Sequence, residues 1–307
     1  MKVIIDIGEA IDIGTIVFKT TINLLSNTIF SVDLIQSNGA AGEFKDLATD
    51  ITKLAGTPNV ADFFPCIEDK RECTRVDTCK DMLDAMLNIS KDNEFMDKNM
   101  IQHLSLDIFV AGTDTTTSTL EWAMTELINN PEAMRKAKKE LEETIGCGVP
   151  LEESNISDLP YLHAIIKETL RKHPPVPFLL PRKAERDVEI CGYTIPKDAQ
   201  VLVNMWTICK DPTLWENPTL FSPERFMGSD IDVKGRNYEV APLVVGGDLS
   251  SCNGNRMLML MLGSLINSFD WELEGGMKPE DMNMDDKFGI TLREAQPLRI
   301  VPLKLSN

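Results

Sequence analysis

Ala111-Gly112-Thr113-Asp114-Thr115-Thr116 decides the reading of this chain. The run sets an acid beside an alcohol, just after a glycine, inside an otherwise apolar helical pattern from Asn99 to Ile128. Gly, Thr and Asp each cost helix propensity. Such a run predicts a helix opened on one side, where a hydroxyl stands in for a backbone partner. An acid–alcohol pair at that opening can relay protons to something bound against the helix. The plainer alternative is a Thr-rich helix end with Asp114 in solvent.

Working outward, Leu159–Lys172 reads as a helix. Asp158 is placed to cap it, Pro160 suits its first turn, and Pro174-Pro175 stop it. Glu168 and Arg171 share one face of this helix; alone, they are an ordinary surface pair. Further along, after a loop bearing Trp215 and Phe221, comes Pro223-Glu224-Arg225-Phe226.

In this order the three pieces resemble the cytochrome P-450 haem-thiolate monooxygenases. Three longer stretches resemble the plant terpenoid-hydroxylating branch, the geraniol 8-hydroxylase-like enzymes: Leu120–Met124, Phe178–Ala184 and Gly263–Trp271. The resemblance implies a mainly α fold with small β-hairpins in the C-terminal half, in one partial domain over residues 1–307. It implies iron protoporphyrin as cofactor, a reductase drawing on NADPH as electron donor, and a small apolar, terpenoid-class substrate. Asp114 and Thr115 would be the catalytic pair, with the hydroxyl steadying dioxygen and the acid feeding protons. Gly112 would leave room for oxygen. Arg182 falls where the family often places a propionate partner, with a surface arginine as the alternative. Glu168, Arg171 and Arg225 would form a buried charge triad supporting the haem-binding loop.

That loop, residues 242–254, departs from the family pattern P-F-G-x-G-R-R-x-C-x-G. Cys252 and Gly254 match its end, but Val245 replaces the phenylalanine, Asp248 a glycine, and Ser250 the arginine that meets a propionate. Cys252 is read either as the iron-ligating thiolate or as an exposed loop thiol. An acid at 248 would repel a propionate. The family's roof over the substrate pocket is shortened here, at residues 66–82. These departures sustain an alternative to an active enzyme: a haem-less remnant or an interaction protein.

Composition narrows the rest. The chain has 307 residues, with 31 basic and 48 acidic side chains and a net charge of −17. That balance lacks the basic footprint that nucleic acid requires. The seven cysteines show neither C-x-x-C pairing nor zinc-like spacing, and read as reduced, mostly core thiols. Asp6, Glu9 and Asp12 argue against a signal peptide or anchor at the N-terminus. The family resides on the cytosolic face of the endoplasmic reticulum, and members are much longer. A chain without the anchor points instead to the cytoplasm.

Smaller expectations complete the reading. Residues 1–64 read as helical, with an apolar stripe of Leu24, Leu25, Ile29 and Val32. Asn130 is placed to cap a helix running to about Ile145, whose charged residues read as a solvated face. Val188, Ile190, Tyr193 and Ile195 around Gly192 predict a hairpin. Met257, Met259 and Met261 read as helix core. His103, His163 and His173 read as solvated or locally satisfied, and Trp122 and Trp271 as packing residues.

Overall fold

The computed structural model describes residues 8–35, 81–92, 97–229, 231, 248–289 and 291–305. The side chains of residue 92 and of 248–253 lie outside the description. So do the helical reading of 36–64, the polar stretch 66–80 with its three cysteines, and the 242–247 part of the cysteine loop. The described chain is mainly α, with four small antiparallel sheets. It divides into two compact units, residues 13–117 and residues 1–12 with 118–307.

In the first unit, helix Ile13–Phe30 packs with helix Met82–Asp92 and the first part of the long helix Lys98–Asn129. The core is Phe18, Ile22, Ile29, Phe30, Ile35, Leu83, Met86, Ile101 and Phe109. The stripe expected from Leu24 and Val32 is corrected here. Leu24 is 37% exposed, and Val32 lies beyond the helix and is 46% exposed. The inward face runs instead through Phe18, Ile22 and Ile29, four and seven residues apart, with Val17 beside Phe18, as a helical face requires.

The second unit is built on the rest of the long helix, helices Pro131–Thr144 and Pro160–Lys172, and helix Asp248–Ser268. Gly263 permits the last of these to pack closely. A Cβ there would stand 2.5 Å from Leu151 Cδ2 and 3.1 Å from Leu162 Cδ2. Met259 and Met261 are buried beside Leu258 and Leu262. Strands β1 (Ile11–Asp12), β6 (Asp270–Leu273) and β9 (Arg299–Leu303) form a sheet of order β1-β9-β6, with Ile300 opposite Ile11 and Leu273. Hairpin β3 (Val188–Ile190) to β4 (Tyr193–Ile195) turns at Cys191 and Gly192, both with positive φ, as a two-residue hairpin turn demands. Its alternating apolar residues face solvent, Tyr193 being 78% exposed. Cys147 and Cys191 are exposed and Cys209 is buried, so the core reading holds for one of these three thiols.

Two caps differ from expectation. Asp158 ends a 3-10 turn, Glu153–Asp158, and Leu159 occupies the cap position of the Pro160–Lys172 helix without a side-chain bond. The free amides of that helix are satisfied from the neighbouring one. Tyr161 N donates to Glu140 Oε1 (2.7 Å) and Leu162 N to Glu140 Oε2 (2.9 Å). The carboxylate therefore sits at the positive end of the helix dipole, and Glu140 is no idle member of a solvated face. Asn130 is at the cap position of Pro131–Thr144 but turns back, its Nδ2 donating to Glu126 O at 2.8 Å. Glu140→Ala is expected to lower unfolding free energy by about 1–2 kcal/mol in urea titrations, the range of a lost cap.

Candidate functional site

Glu168 and Arg171 occupy one turn of the Pro160–Lys172 helix, and neither side chain has exposed surface. Arg171 Nε donates to Glu168 Oε2 at 2.7 Å and Nη2 to Oε1 at 2.9 Å. Arg225 Nε donates to the same Oε1 at 3.1 Å, and Ser222 N does so at 2.9 Å. The remaining guanidinium donors turn to the backbone. Arg171 Nη1 bonds Cys209 O (2.9 Å), Arg225 Nη1 bonds Glu216 O (2.9 Å), and both arginines approach Leu220 O. The loop Cys209–Ser222 thus receives its backbone partners from two cations, and Trp215 packs beneath them, 5.5 Å from Arg171 Cζ. Glu224 extends the tie outward, accepting from Tyr161 Oη (2.9 Å) and Lys136 Nζ (2.7 Å). Arg171→Leu leaves a carboxylate buried against a single cation. The expected cost is about 3–5 kcal/mol of unfolding free energy, read by urea denaturation.

The long helix runs unbroken through Gly112–Thr116. The expected opening is not there, because the hydroxyls bond along the helix itself. Thr115 Oγ1 donates to Ala111 O at 2.5 Å and Thr117 Oγ1 to Thr113 O at 2.8 Å. Asp114 and Thr115 are buried, so the solvated alternative for Asp114 is also corrected. The Cβ direction of Gly112 is taken up by Leu25, whose Cδ1 would lie 3.1 Å from an added methyl, and not by open volume. Ala111 is exposed where the helix is about to become buried all round, from Thr113 to Leu127.

Arg182 lies on strand β2 (Arg182–Lys183), paired with β5 (Gln200–Val201). It is exposed and makes no ion pair among the described residues. Near it in the fold are exposed apolar side chains: Phe178 (41%), Leu180 (51%) and Leu202 (53%). Phe178 O accepts from Val203 N, and Pro177 O from Trp206 N, whose ring lies 6.3 Å from that of the exposed Phe288. Exposed apolar groups beside an unpaired guanidinium suit a flat apolar ligand with an anionic edge.

The backbone of 248–254 is helical where a loop was expected, so Cys252 lies within helix Asp248–Ser268. The physical reason is in the departures themselves. Asp248, Ser250 and Ser251 replace residues of a loop with residues that favour a helix's first turn. Among the described residues, no group of three or more His, Cys, Asp or Glu could hold a metal ion, and no helix is long and apolar enough to cross a membrane.

A second polar centre was not anticipated. His173 is buried, stacked on Trp122 with ring centroids 3.7 Å apart and planes within 8°. Its Nε2 lies 2.7 Å from Glu126 Oε1, which Lys172 Nζ also reaches at 2.8 Å. Burial pushes the Glu126 carboxyl up, but His173 and Lys172 together outweigh this and hold it below its ordinary range. Nearby, Glu294 receives the Thr125 hydroxyl and lies close to Glu121. Burial, then the charge of Glu121, raises its carboxyl well above the ordinary value of 4.5. The unfolded chain gives up this proton at lower pH than the folded one. Stability therefore falls as pH rises past the ordinary carboxyl range, until Glu294 itself ionises, by up to about 1.4 kcal/mol per pH unit. Glu294→Gln should flatten that slope in urea titrations at several pH values between about 5 and 8.

The sequence carried little signal for these residues: ten of the fifteen residues from Thr113 to Leu127 are polar, and only the fold shows that all fifteen are buried.

Comparison with known proteins places this geometry. The family described as Cytochrome P450 matches residues 65–299. A geraniol 8-hydroxylase of Catharanthus roseus is 48% identical over 97% of this chain and 67% of its own length. A drimenol monooxygenase of Persicaria hydropiper is 46% identical over 97% and 66%. The chain thus spans about two thirds of the length of these relatives. A zebrafish cytochrome P450 solved with abiraterone superposes with a TM-score of 0.82 at 22% identity, covering 98% of this chain and 73% of that one. Haem is the cofactor of these proteins, and Arg182, exposed and without an ion pair among the described residues, suits a haem propionate. A buried ion triad on a Glu-x-x-Arg helix, an unbroken helix carrying the acid–alcohol run, and these likenesses agree: the chain belongs to the cytochrome P450 family.

Proposed function

We propose that this chain is a haem-dependent monooxygenase that inserts one oxygen atom of O2 into a small apolar, terpenoid-class substrate. The observation that carries the reading is the set of exposed apolar side chains: Phe178, Leu180 and Leu202 near Arg182 in the chain's pairing of β2 with β5, and Phe288 beside Trp206. The names of the relatives, a geraniol 8-hydroxylase and a drimenol monooxygenase, support the substrate class.

Haem, when bound, would supply dioxygen activation. Each residue then has a bounded task. Cys252 would provide the thiolate, and Arg182 would pair with a propionate. Thr115 holds its hydroxyl on the Ala111 carbonyl, which fixes the oxygen atom's position; that hydroxyl would steady dioxygen while Asp114 would feed protons. Gly112, with its Cβ direction filled by Leu25, keeps the helix surface flat beside Ala111. The apolar side chains exclude water and orient the substrate without hydrogen bonds, which suits a hydrocarbon skeleton. Electrons come from a reductase that draws on NADPH, on the cytosolic face of the endoplasmic reticulum.

A haem-less remnant is the second reading, favoured by one observation. With Cys252 inside a helix, the amides that follow it are committed to helical bonds and are not free to support a thiolate. Expression with haem precursor separates the two. An active enzyme gives a red protein whose reduced, carbon monoxide-treated form shows the thiolate-type Soret band, and Cys252→Ser abolishes that band. A colourless protein, or a band untouched by Cys252→Ser, overturns Cys252 as ligand.

A further inference from the structure

His173 belongs to none of the roles above, yet its ring is stacked on one face and engaged at Nε2, with an acid facing Nδ1. It follows the Pro160–Lys172 helix as its C-cap, with its amide on Thr169 O at 2.8 Å. From the long helix it meets Trp122 by stacking and Glu126 through Nε2. From its own helix Lys172 shares Glu126. From strand β7 (Asp286–Lys287), Asp286 Oδ1 faces its Nδ1 at 3.6 Å. After helix Met205–Ile208, Lys210 approaches Asp286 Oδ2 at 3.8 Å.

The contact with Asp286 differs from the contact with Glu126. At 3.6 Å it is too long for a hydrogen bond, although both atoms are buried and neither has another hydrogen-bond partner among the described residues. With a proton on Nδ1, the ring is drawn to the Asp286 carboxylate across this gap, which little water screens. Asp286 begins the stretch that carries Phe288. Beyond that stretch the chain is fastened again. Leu292 N donates to Pro175 O at 2.9 Å, two residues past His173, and Leu292 O accepts from the Ser118 hydroxyl. Phe288, 58% exposed, stands between these anchors with Trp206 beside it, and Lys210 Nζ lies 4.1 Å over the Trp206 ring.

We propose that His173 is a positioning residue for Phe288. Clamped between Trp122 and Glu126, its ring presents Nδ1 to Asp286 and so fixes the stretch Asp286–Gly289 that offers Phe288 to an apolar ligand. This rests on the reading that Phe288 and its exposed neighbours receive the substrate. It adds that the reach of Phe288 is set from a buried imidazole on another element. An ordinary core histidine would need its stacking and its Glu126 bond, but nothing from Asp286.

The test separates these cases through the two ring nitrogens. His173→Gln can keep an amide near Glu126 and loses the group facing Asp286. Amide hydrogen exchange at Asp286–Gly289 should become about tenfold faster in it, with the Pro160–Lys172 helix unchanged within about twofold. Asp286→Asn should give the same acceleration, and the double variant no more than either single one. Asp286→Glu, which keeps the carboxylate and can close the 3.6 Å gap, should exchange at the parent rate or slower. In haem-loaded protein, a spectral titration with geraniol should show weaker binding for His173→Gln and Asp286→Asn, and parent-like binding for Asp286→Glu. Unchanged exchange at Asp286–Gly289 in His173→Gln, or additive effects in the double variant, overturns the proposal. So does accelerated exchange with unaltered geraniol affinity while Phe288→Ala weakens it. Should Phe288→Ala leave geraniol binding untouched, the substrate-face reading fails by itself, and the exchange data still decide whether His173 holds the stretch. If His173→Gln does not fold, the Asp286 variants carry the test alone.

Discussion

Glu168 has no exposed surface, and its carboxylate touches two guanidinium groups and a backbone amide. A buried carboxylate in that position is tolerable only if every lone pair and every opposing proton finds a partner. One acid cannot occupy all the donors of two arginines. The surplus has to go to carbonyl oxygens, and the carbonyls within reach belong to Cys209, Glu216 and Leu220. The irregular loop between the Met205–Ile208 helix and Pro223 is therefore ordered by charge, not by ladders of its own. Trp215 and Phe226, 5.7 Å apart, then pack on the cations' inner side. Removing the ion triad would release the loop's backbone as well as the charges.

The part of this that could be read from the sequence was local. Glu168 and Arg171 share a helix turn, and the Pro-Glu-Arg-Phe segment announced Arg225 through family likeness. Long-range partners left no such trace. Asp158 has every local feature of a cap, but the cap is supplied by Glu140, which sequence periodicity assigns to a solvated face. Hairpin β3–β4 was legible from its alternation and turn residues, yet the same alternation implied a buried face that the hairpin does not have. Period tells which residues share a side. Only the other elements decide whether that side is covered.

The acid–alcohol run on the long helix is a case where local propensity predicted the wrong backbone and tertiary burial overrode it. Gly, Thr, Asp and Thr each weaken a helix in isolation by a few tenths to about 1 kcal/mol. Here every residue from Thr113 to Leu127 is buried. Opening the helix would strand backbone groups without water, a larger loss than the propensity gained. The threonines resolve the conflict by bonding to carbonyls one turn back, which keeps their hydroxyl oxygens fixed and leaves the helix intact.

Three of the buried carboxylates, Glu168, Glu126 and Glu294, are accommodated in three different ways. Glu168 is met by permanent cations. Glu126 is met by a histidine and a lysine, partners whose geometry depends on the end of a helix and on strand β7. Glu294 has a hydroxyl and the neighbouring Glu121, so it keeps its proton. These solutions differ in what they make of the surrounding structure. Guanidiniums offer many donors and freeze a loop. A retained proton freezes little but ties stability to pH. An imidazole has two nitrogens pointing away from each other, so the ring that meets Glu126 through Nε2 can turn Nδ1 toward another element, here Asp286 on strand β7.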